Sequence, residues 1–122
     1  MIDSPQLIAS FVLEDGRPVY DEGDGHRHYR IIFELQNVPT DVFAATYELH
    51  PSYWDPTRAV KRTEDGRFRL ETTSYGDYRV KVRLRSREGF TYVVDKVSTA
   101  LRRTANVNDA SQAEAVSYIE KH

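Results

Sequence analysis

The sequence predicts an all-β domain, an antiparallel sandwich of about seven or eight strands with a short C-terminal helix. Three observations point there. Apolar and polar residues alternate with a two-residue period over several runs, which only a strand satisfies. Glycine-containing turn signals recur at short intervals between those runs. No long helical period separates them, which excludes a βαβ pattern and leaves a sandwich or barrel, of which the sandwich is taken.

The elements follow in chain order. Residues 7–13 supply a first strand, ended by the Asp15-Gly16 turn. Asp21-Glu22-Gly23-Asp24-Gly25 is polar and glycine-rich and reads as an exposed irregular loop. Tyr29, Ile31, Phe33 and Leu35 alternate as one central strand, and Phe43, Ala45, Tyr47 and Leu49 as another, with Asn37-Val38-Pro39-Thr40 stopping the first. After Asp65-Gly66, Phe68 and Leu70 alternate with Arg67, Arg69 and Glu71 in a half-buried strand that ends at a connection over residues 72–77. The clearest run follows, Tyr78, Val80, Val82 and Leu84 against Arg79, Lys81, Arg83 and Arg85, and these last two strands are expected to pair antiparallel. Glu88-Gly89 turns into a last strand around Tyr92-Val93-Val94. Ser111-Gln112-Ala113-Glu114 has capping-box spacing, with Ala115, Val116 and Ile119 on one helical side. A helix that short must dock on the sandwich, pair with another copy or continue into further sequence. The expected division is a sandwich over residues 1–104 and a linker with a short helix over 105–122.

Composition narrows the function classes. The chain has 122 residues, 39% hydrophobic and 30% charged, a balance that suits one globular core. A net charge of −2 gives no overall attraction to nucleic acid or anionic lipid, so a nucleic-acid partner is not expected. Cysteine is absent, which rules out disulfides and thiolate metal sites and suits a reducing cytoplasm. No run approaches the roughly 20 apolar residues of a membrane span, and the first residues lack signal-peptide character.

Two loops concentrate chemistry-bearing residues. Residues 49–56 leave a strand and place His50, Ser52, Tyr53 and Trp54 between Pro51 and Pro56. Ser74-Tyr75-Gly76 puts a second tyrosine beside a glycine, and loops of a sandwich gather at its ends. Tyr53 facing Tyr75 would form a slot for a flat, neutral group such as an amide, with Ser52 and N–H groups near Gly76 bonding its edge. Stacking worth about 0.5–1.5 kcal/mol and methylene burial near ~0.8 kcal/mol each imply millimolar to micromolar affinity.

Tyr47-Glu48-Leu49-His50-Pro51-Ser52-Tyr53, then Pro56-Thr57-Arg58-Ala59-Val60, Phe68-Arg69-Leu70 and Ser74-Tyr75-Gly76-Asp77-Tyr78, resemble the YEATS domain signature in order and spacing. The resemblance is close over about residues 26–85. It implies an immunoglobulin-like sandwich and a non-catalytic reader, since eukaryotic members of that family bind acetyl- or crotonyl-lysine on histones in an aromatic slot. Carried over, Tyr53 and Tyr75 resemble the slot walls, Ser52 the hydroxyl that bonds the acyl amide, His50 an imidazole that lines or orients it, and Gly76 with its neighbours the backbone donors. At the slot's end, where those readers have an aromatic, this chain has Gly25-His26, so that wall is either missing or replaced by His26 or His28. Asp77 at the mouth would favour a cation. The brevity of the chain resembles the prokaryotic YEATS-like modules, which are associated with conflict and signalling systems beside effector or membrane modules; a fused or neighbouring effector is then an expected partner.

Plainer readings stand beside these. Tyr53 and Tyr75 can cap the sandwich end, Trp54 can cover the base of its loop, and His50 can bond a turn carbonyl. Asp24, His26, His28 and His50 do not make a convincing metal set, and no metal or cofactor is expected. Ser52 and His50, two residues apart on a loop, need not meet, and no nucleophile elbow is present, so no enzymatic activity is expected. Arg67, Arg69, Arg79, Lys81, Arg83 and Arg85 can form a basic sheet face, ordinarily just a solvated one and less often an anion or nucleic-acid site, for which affinity would fall steeply with salt. The competing functional readings are a defence or signalling sensor for a nucleotide messenger or partner protein, using the same loops or the basic face, and a structural oligomerisation domain working through its C-terminal helix.

Overall fold

The computed structural model describes residues 4–122. Its strands are β1 (Gln6–Phe11), β2 (Leu13–Glu14), β3 (Arg17–Pro18), β4 (Tyr20–Gly23), β5 (His26–Gln36), β6 (Ala44–Glu48), β7 (Thr57–Lys61), β8 (Leu70–Ser74), β9 (Arg79–Ser86) and β10 (Gly89–Lys96). Two helices follow, α1 (Val97–Arg102) and α2 (Ala110–Lys121). Eight of the strands build two antiparallel four-stranded sheets, and β2 with β3 forms a two-residue ribbon apart from them.

The long β5 organises the first sheet. Its residues 31–36 pair with β1 and residues 26–29 with β4, while residues 29–33 pair with β8 on the other side. The second sheet runs β10-β9-β6-β7. Alternation fixes which side of each strand faces inward: Tyr29, Ile31, Phe33 and Leu35 of β5 meet Ala45 and Tyr47 of β6 and Val80, Val82 and Leu84 of β9 in one buried core. Each such aliphatic side chain contributes about 1.5–3 kcal/mol on full burial. The Tyr47 hydroxyl, in the middle of this core, donates to the Phe68 carbonyl at 2.6 Å, so the one polar atom of the ring is matched.

Several expectations change. The two strands read at 67–71 and 78–85 are not partners: β8 pairs with β5 and β9 with β10 and β6, in opposite sheets. Alternation gives a strand's faces and says nothing about its neighbour. β8 also starts later than read, at Leu70, because Phe68 takes a left-handed φ of 53° that ends any extended run before it. Residues 21–25 are not an irregular loop but the end of β4 and a tight Asp24-Gly25 turn, with φ of 53° and 78° at its two positions, the geometry a two-residue hairpin needs. Three elements have no counterpart in the sequence pattern: the short β3, β7, and α1, which lies within the expected sandwich.

The capping box is also displaced. Asp109, not Ser111, caps α2, its side chain accepting from the Ser111 and Gln112 N–H groups at 2.9 and 3.2 Å. Ala115, Val116 and Ile119 are buried in the same core as the sheets, so the helix docks on the sandwich as one of the expected options required. No helix among the described residues is long and apolar enough to cross a membrane.

Candidate functional site

The loop between β6 and β7 and the loop between β8 and β9 meet at one end of the sandwich and bound a cleft of about 300 Å³. His50, Ser52, Tyr53 and Trp54 line it from the first loop, and Ser74, Tyr75, Gly76 and Asp77 from the second. His28 of β5 completes the expected set at the wall, whereas His26 stands behind it.

The first loop is closed at its base by the Leu49 N–H donating to the Pro56 carbonyl at 2.7 Å. A turn inside it has the Tyr53 N–H on the His50 carbonyl at 3.1 Å. Against the expectation that residues two apart need not meet, His50 Nδ1 lies 2.8 Å from Ser52 Oγ and also accepts the Ser52 N–H at 3.1 Å. A nitrogen that accepts a backbone N–H carries no proton of its own, so the imidazole proton sits on Nε2 and the Ser52 hydroxyl is the donor of the pair. The Oγ lone pairs are thereby left as the serine's free capacity. His50 bonds this serine rather than a turn carbonyl, and its ring packs edge-on against Tyr78. Trp54 does not cover the loop; its side chain is fully exposed at the cleft rim.

The two tyrosines line one cleft but are held differently. Tyr53 is half-buried: its hydroxyl donates to the Thr73 carbonyl at 2.5 Å and accepts from the Tyr78 hydroxyl at 3.1 Å, and its ring meets Tyr78 edge-on at 5.8 Å. Burial pushes both phenols above the ordinary tyrosine range, so each stays a protonated donor at neutral pH. Tyr75 is more exposed and lies flat on His26, ring centres 4.5 Å apart and planes 18° from parallel, with His28 against its edge at 5.2 Å. His26 and His28 share a face of β5, which is why both reach one ring. His28 is fixed by a hydrogen bond between Nε2 and the Gly23 carbonyl at 3.0 Å, and the buried Nδ1 of His26 has no partner among the described residues.

The rest of the second loop is braced from elsewhere. The buried Ser74 hydroxyl donates to the Gly76 carbonyl at 2.8 Å, which shapes the turn at the cleft wall. A Cβ on Gly76 would stand 2.8 Å from the His122 carbonyl carbon, so only glycine leaves room for the end of α2. The Asp77 carboxylate, expected at the mouth, is among the residues lining the cleft and accepts the Ser98 N–H at 3.0 Å and its hydroxyl at 2.6 Å. It caps the first turn of α1, where helix polarity favours an anion. Among the described residues the N–H groups of Tyr75 and Gly76 donate to no turn or side-chain acceptor.

Thr73, Tyr78 and His122 also line the cleft and were not singled out from the sequence. Tyr78 begins the most regular alternation in the chain and so read as core. Nothing local to His122 signals that α2 returns it to the cleft. Among the described residues no three metal-binding side chains come together.

The family model for the prokaryotic YEATS domain matches residues 29–96. No curated protein matches the chain. Among solved structures, a Yaf9 YEATS domain recognising a succinyl-lysine histone H3 peptide is 15% identical with a TM-score of 0.52, covering 77% of this chain and 72% of that one. The same domain bound to an acetyl-lysine H3 peptide is 14% identical at the same TM-score and coverage. The yeast AF-9 homologue Yaf9 is 16% identical at 0.52, over 76% and 69%. At such identities the likeness shows the fold, an immunoglobulin-like sandwich.

Proposed function

This chain belongs to the prokaryotic YEATS family, and on that premise we propose that its cleft is a non-catalytic reader site for acylated lysine or a similarly flat, uncharged group. The observation that carries the reading is the convergence of Ser52, Tyr53 and Tyr75, from two loops some twenty residues apart, on one cleft of about 300 Å³.

A secondary amide needs an acceptor for its N–H, a donor for its C=O and something flat against its plane. Ser52 Oγ offers the acceptor, because its proton is directed at His50 Nδ1. The N–H groups of Tyr75 and Gly76, which donate to no turn or side-chain acceptor among the described residues, would be the donors, and the Tyr75 ring, backed by His26, would be the flat surface. The Yaf9 domain's acylated histone peptides suit the same chemistry, though histone itself is no part of this proposal. The Ser52–His50 contact favours binding over hydrolysis: Nδ1 already takes the Ser52 N–H, and among the described residues no carboxylate bonds the imidazole to orient it as a base.

The test is an NMR titration of the labelled domain with acetyl- and crotonyl-lysine peptides. Shifts focused on Tyr53, Tyr75 and Gly76 with millimolar to micromolar affinity are expected, and Tyr75→Ala should abolish them while the fold is kept. Absence of shifts at these residues with millimolar peptide would overturn the acyl-lysine reading.

A further inference from the structure

The outward face of the β10-β9-β6-β7 sheet interleaves cations with exposed aromatic rings. Arg79, Lys81, Arg83 and Arg85 all point outward from β9, alternating with its buried Val80, Val82 and Leu84. Strand pairing sets Phe90 opposite Arg85, Tyr92 opposite Arg83 and Val94 opposite Lys81, so these side chains share that face. Phe43, Phe90 and Tyr92 are each about half exposed, at 49%, 50% and 53%. Three large rings left in water on one face are more than scattered surface apolar residues account for.

Charge on this face is largely unmatched: Glu48 of β6 stands opposite Lys81, yet closes no ion pair with it, and cations outnumber it on the strand. Arg27, Arg30, Arg58, Arg67, Arg69, Arg102 and Arg103 each have a carboxylate within 4.0 Å, whereas among the described residues none of the four β9 cations does. Arg67 and Arg69, read from sequence as members of a basic face, are paired to Asp65 and Glu71 off this sheet. Three of the four β9 cations rest on the rings instead: Lys81 Nζ lies 4.4 Å from the Tyr92 ring centre, the Arg83 guanidinium 4.9 Å from that of Phe90, and Arg85 5.7 Å from both Phe43 and Phe90. The chain's net charge of −2 conceals this segregation.

We infer that this face is a docking surface for single-stranded nucleic acid. Phosphates supply the anions that the β9 cations lack, and bases supply flat faces for Phe90, Tyr92 and the guanidinium planes. Phe90 and Tyr92, two apart on one strand, stand about 7 Å from each other, a spacing that lets successive bases splay onto them. An acidic peptide would answer the charge and leave the rings in water, which is why a nucleic acid fits better. The inference is independent of the reader proposal, because none of these residues lines the cleft.

The experiment is fluorescence anisotropy of a fluorescein-labelled oligodeoxythymidylate titrated with the intact chain at several salt concentrations. Binding is expected to weaken with a log–log salt slope of about −3, as four neutralised phosphates on a single strand require. Arg83→Glu should weaken binding more than ten-fold and Tyr92→Ala about ten-fold. Both side chains stand in solvent; should Arg83→Glu fail to fold by circular dichroism, Lys81→Ser combined with Arg85→Ser gives the same reading. No binding at low salt, binding unchanged by the charge variants, binding unchanged in Tyr92→Ala, or displacement by polyglutamate as readily as by unlabelled oligonucleotide would each overturn the inference.

Discussion

The two loops that bound the cleft are built on opposite plans. The main chain and polar side chains of residues 49–56 mostly hold themselves: His50 bonds Ser52, Tyr53 N–H bonds His50, and Leu49 bonds Pro56 across the base, with the Tyr53 hydroxyl, bonded to Thr73 and Tyr78, as the outside tie. Residues 75–78 are held by others: Tyr75 by His26 of β5, Gly76 by the end of α2, Asp77 by Ser98 of α1. One wall of the cleft is therefore a local feature of sequence, and the other reports on the assembly of the whole domain. Substitutions in the second loop should cost stability and binding together, while those in the first should separate them.

The largest effect is expected from Gly76→Ala. Its Cβ meets main chain rather than a yielding side-chain tip, with the His122 carbonyl carbon at 2.8 Å and oxygen at 3.0 Å, so α2 or the loop must shift. Overpacking of this kind costs about 1–3 kcal/mol, read as a lowered urea midpoint, and the end of α2 should lose amide protection. Unchanged stability with unchanged α2 protection would mean that the second loop is not braced there. Asp77→Ala comes next. It strips the Ser98 N–H and hydroxyl of their acceptor at the start of α1, a loss of about 1 kcal/mol by chemical denaturation. In both variants affinity for an acyl-lysine peptide should fall along with stability.

Ser52→Ala tests the other half of the comparison. The residue is exposed and its partner is two residues away, so stability should change by less than about 0.5 kcal/mol. Peptide affinity should still drop by up to about ten-fold through loss of the hydrogen-bond acceptor. Isothermal titration alongside a urea curve separates the two. A large stability loss in Ser52→Ala would erase the distinction between the loops.

The same asymmetry explains what was legible in the sequence. The residues of the self-contained loop, His50, Ser52, Tyr53 and Trp54, stand consecutively or nearly so, and their position beside a strand end can be read without any tertiary knowledge. Tyr75 could be read as well, because the glycine beside it marks a turn. The supports of the second loop could not. Ser98 lies on a helix whose short VSTALR segment gives no amphipathic period of useful length, and His122 reaches Gly76 only because α2 packs back on the core. Strand faces were legible and strand partners were not: the inward set of β5, β6 and β9 follows from period two, whereas the assignment of β8 to β5 depends on which sheet a connection crosses to. Asp77 shows the limit most directly, since nothing near it in the sequence signals that its carboxylate is bonded to Ser98 of α1.

The smallest effect expected separates the loops by pH. Asp109 caps α2, and the Ser111 hydroxyl and the Gln112 and Ser111 N–H groups hold its carboxyl below the ordinary aspartate range. A carboxyl whose pKa is lower folded than unfolded stabilises the fold above the unfolded value, near 3.8, and that contribution disappears as pH falls through the lower, folded value. Acidification through this window should therefore loosen the start of α2 before the sheets unfold. Because α2 also supplies Tyr118, which is edge-on to Tyr29, and His122 over Gly76, the loosening should be felt at residues 75–78 and not at residues 49–56. Amide chemical shifts followed from neutral pH into the acid range can decide this: Gly76 and Asp77 should move together with Ser111 and Gln112, in a step that Asp109→Ala removes. If Ser52 and Tyr53 moved with the same midpoint, and kept that midpoint in Asp109→Ala, the first loop would share a titrating support with the second, and its independence would have to be given up.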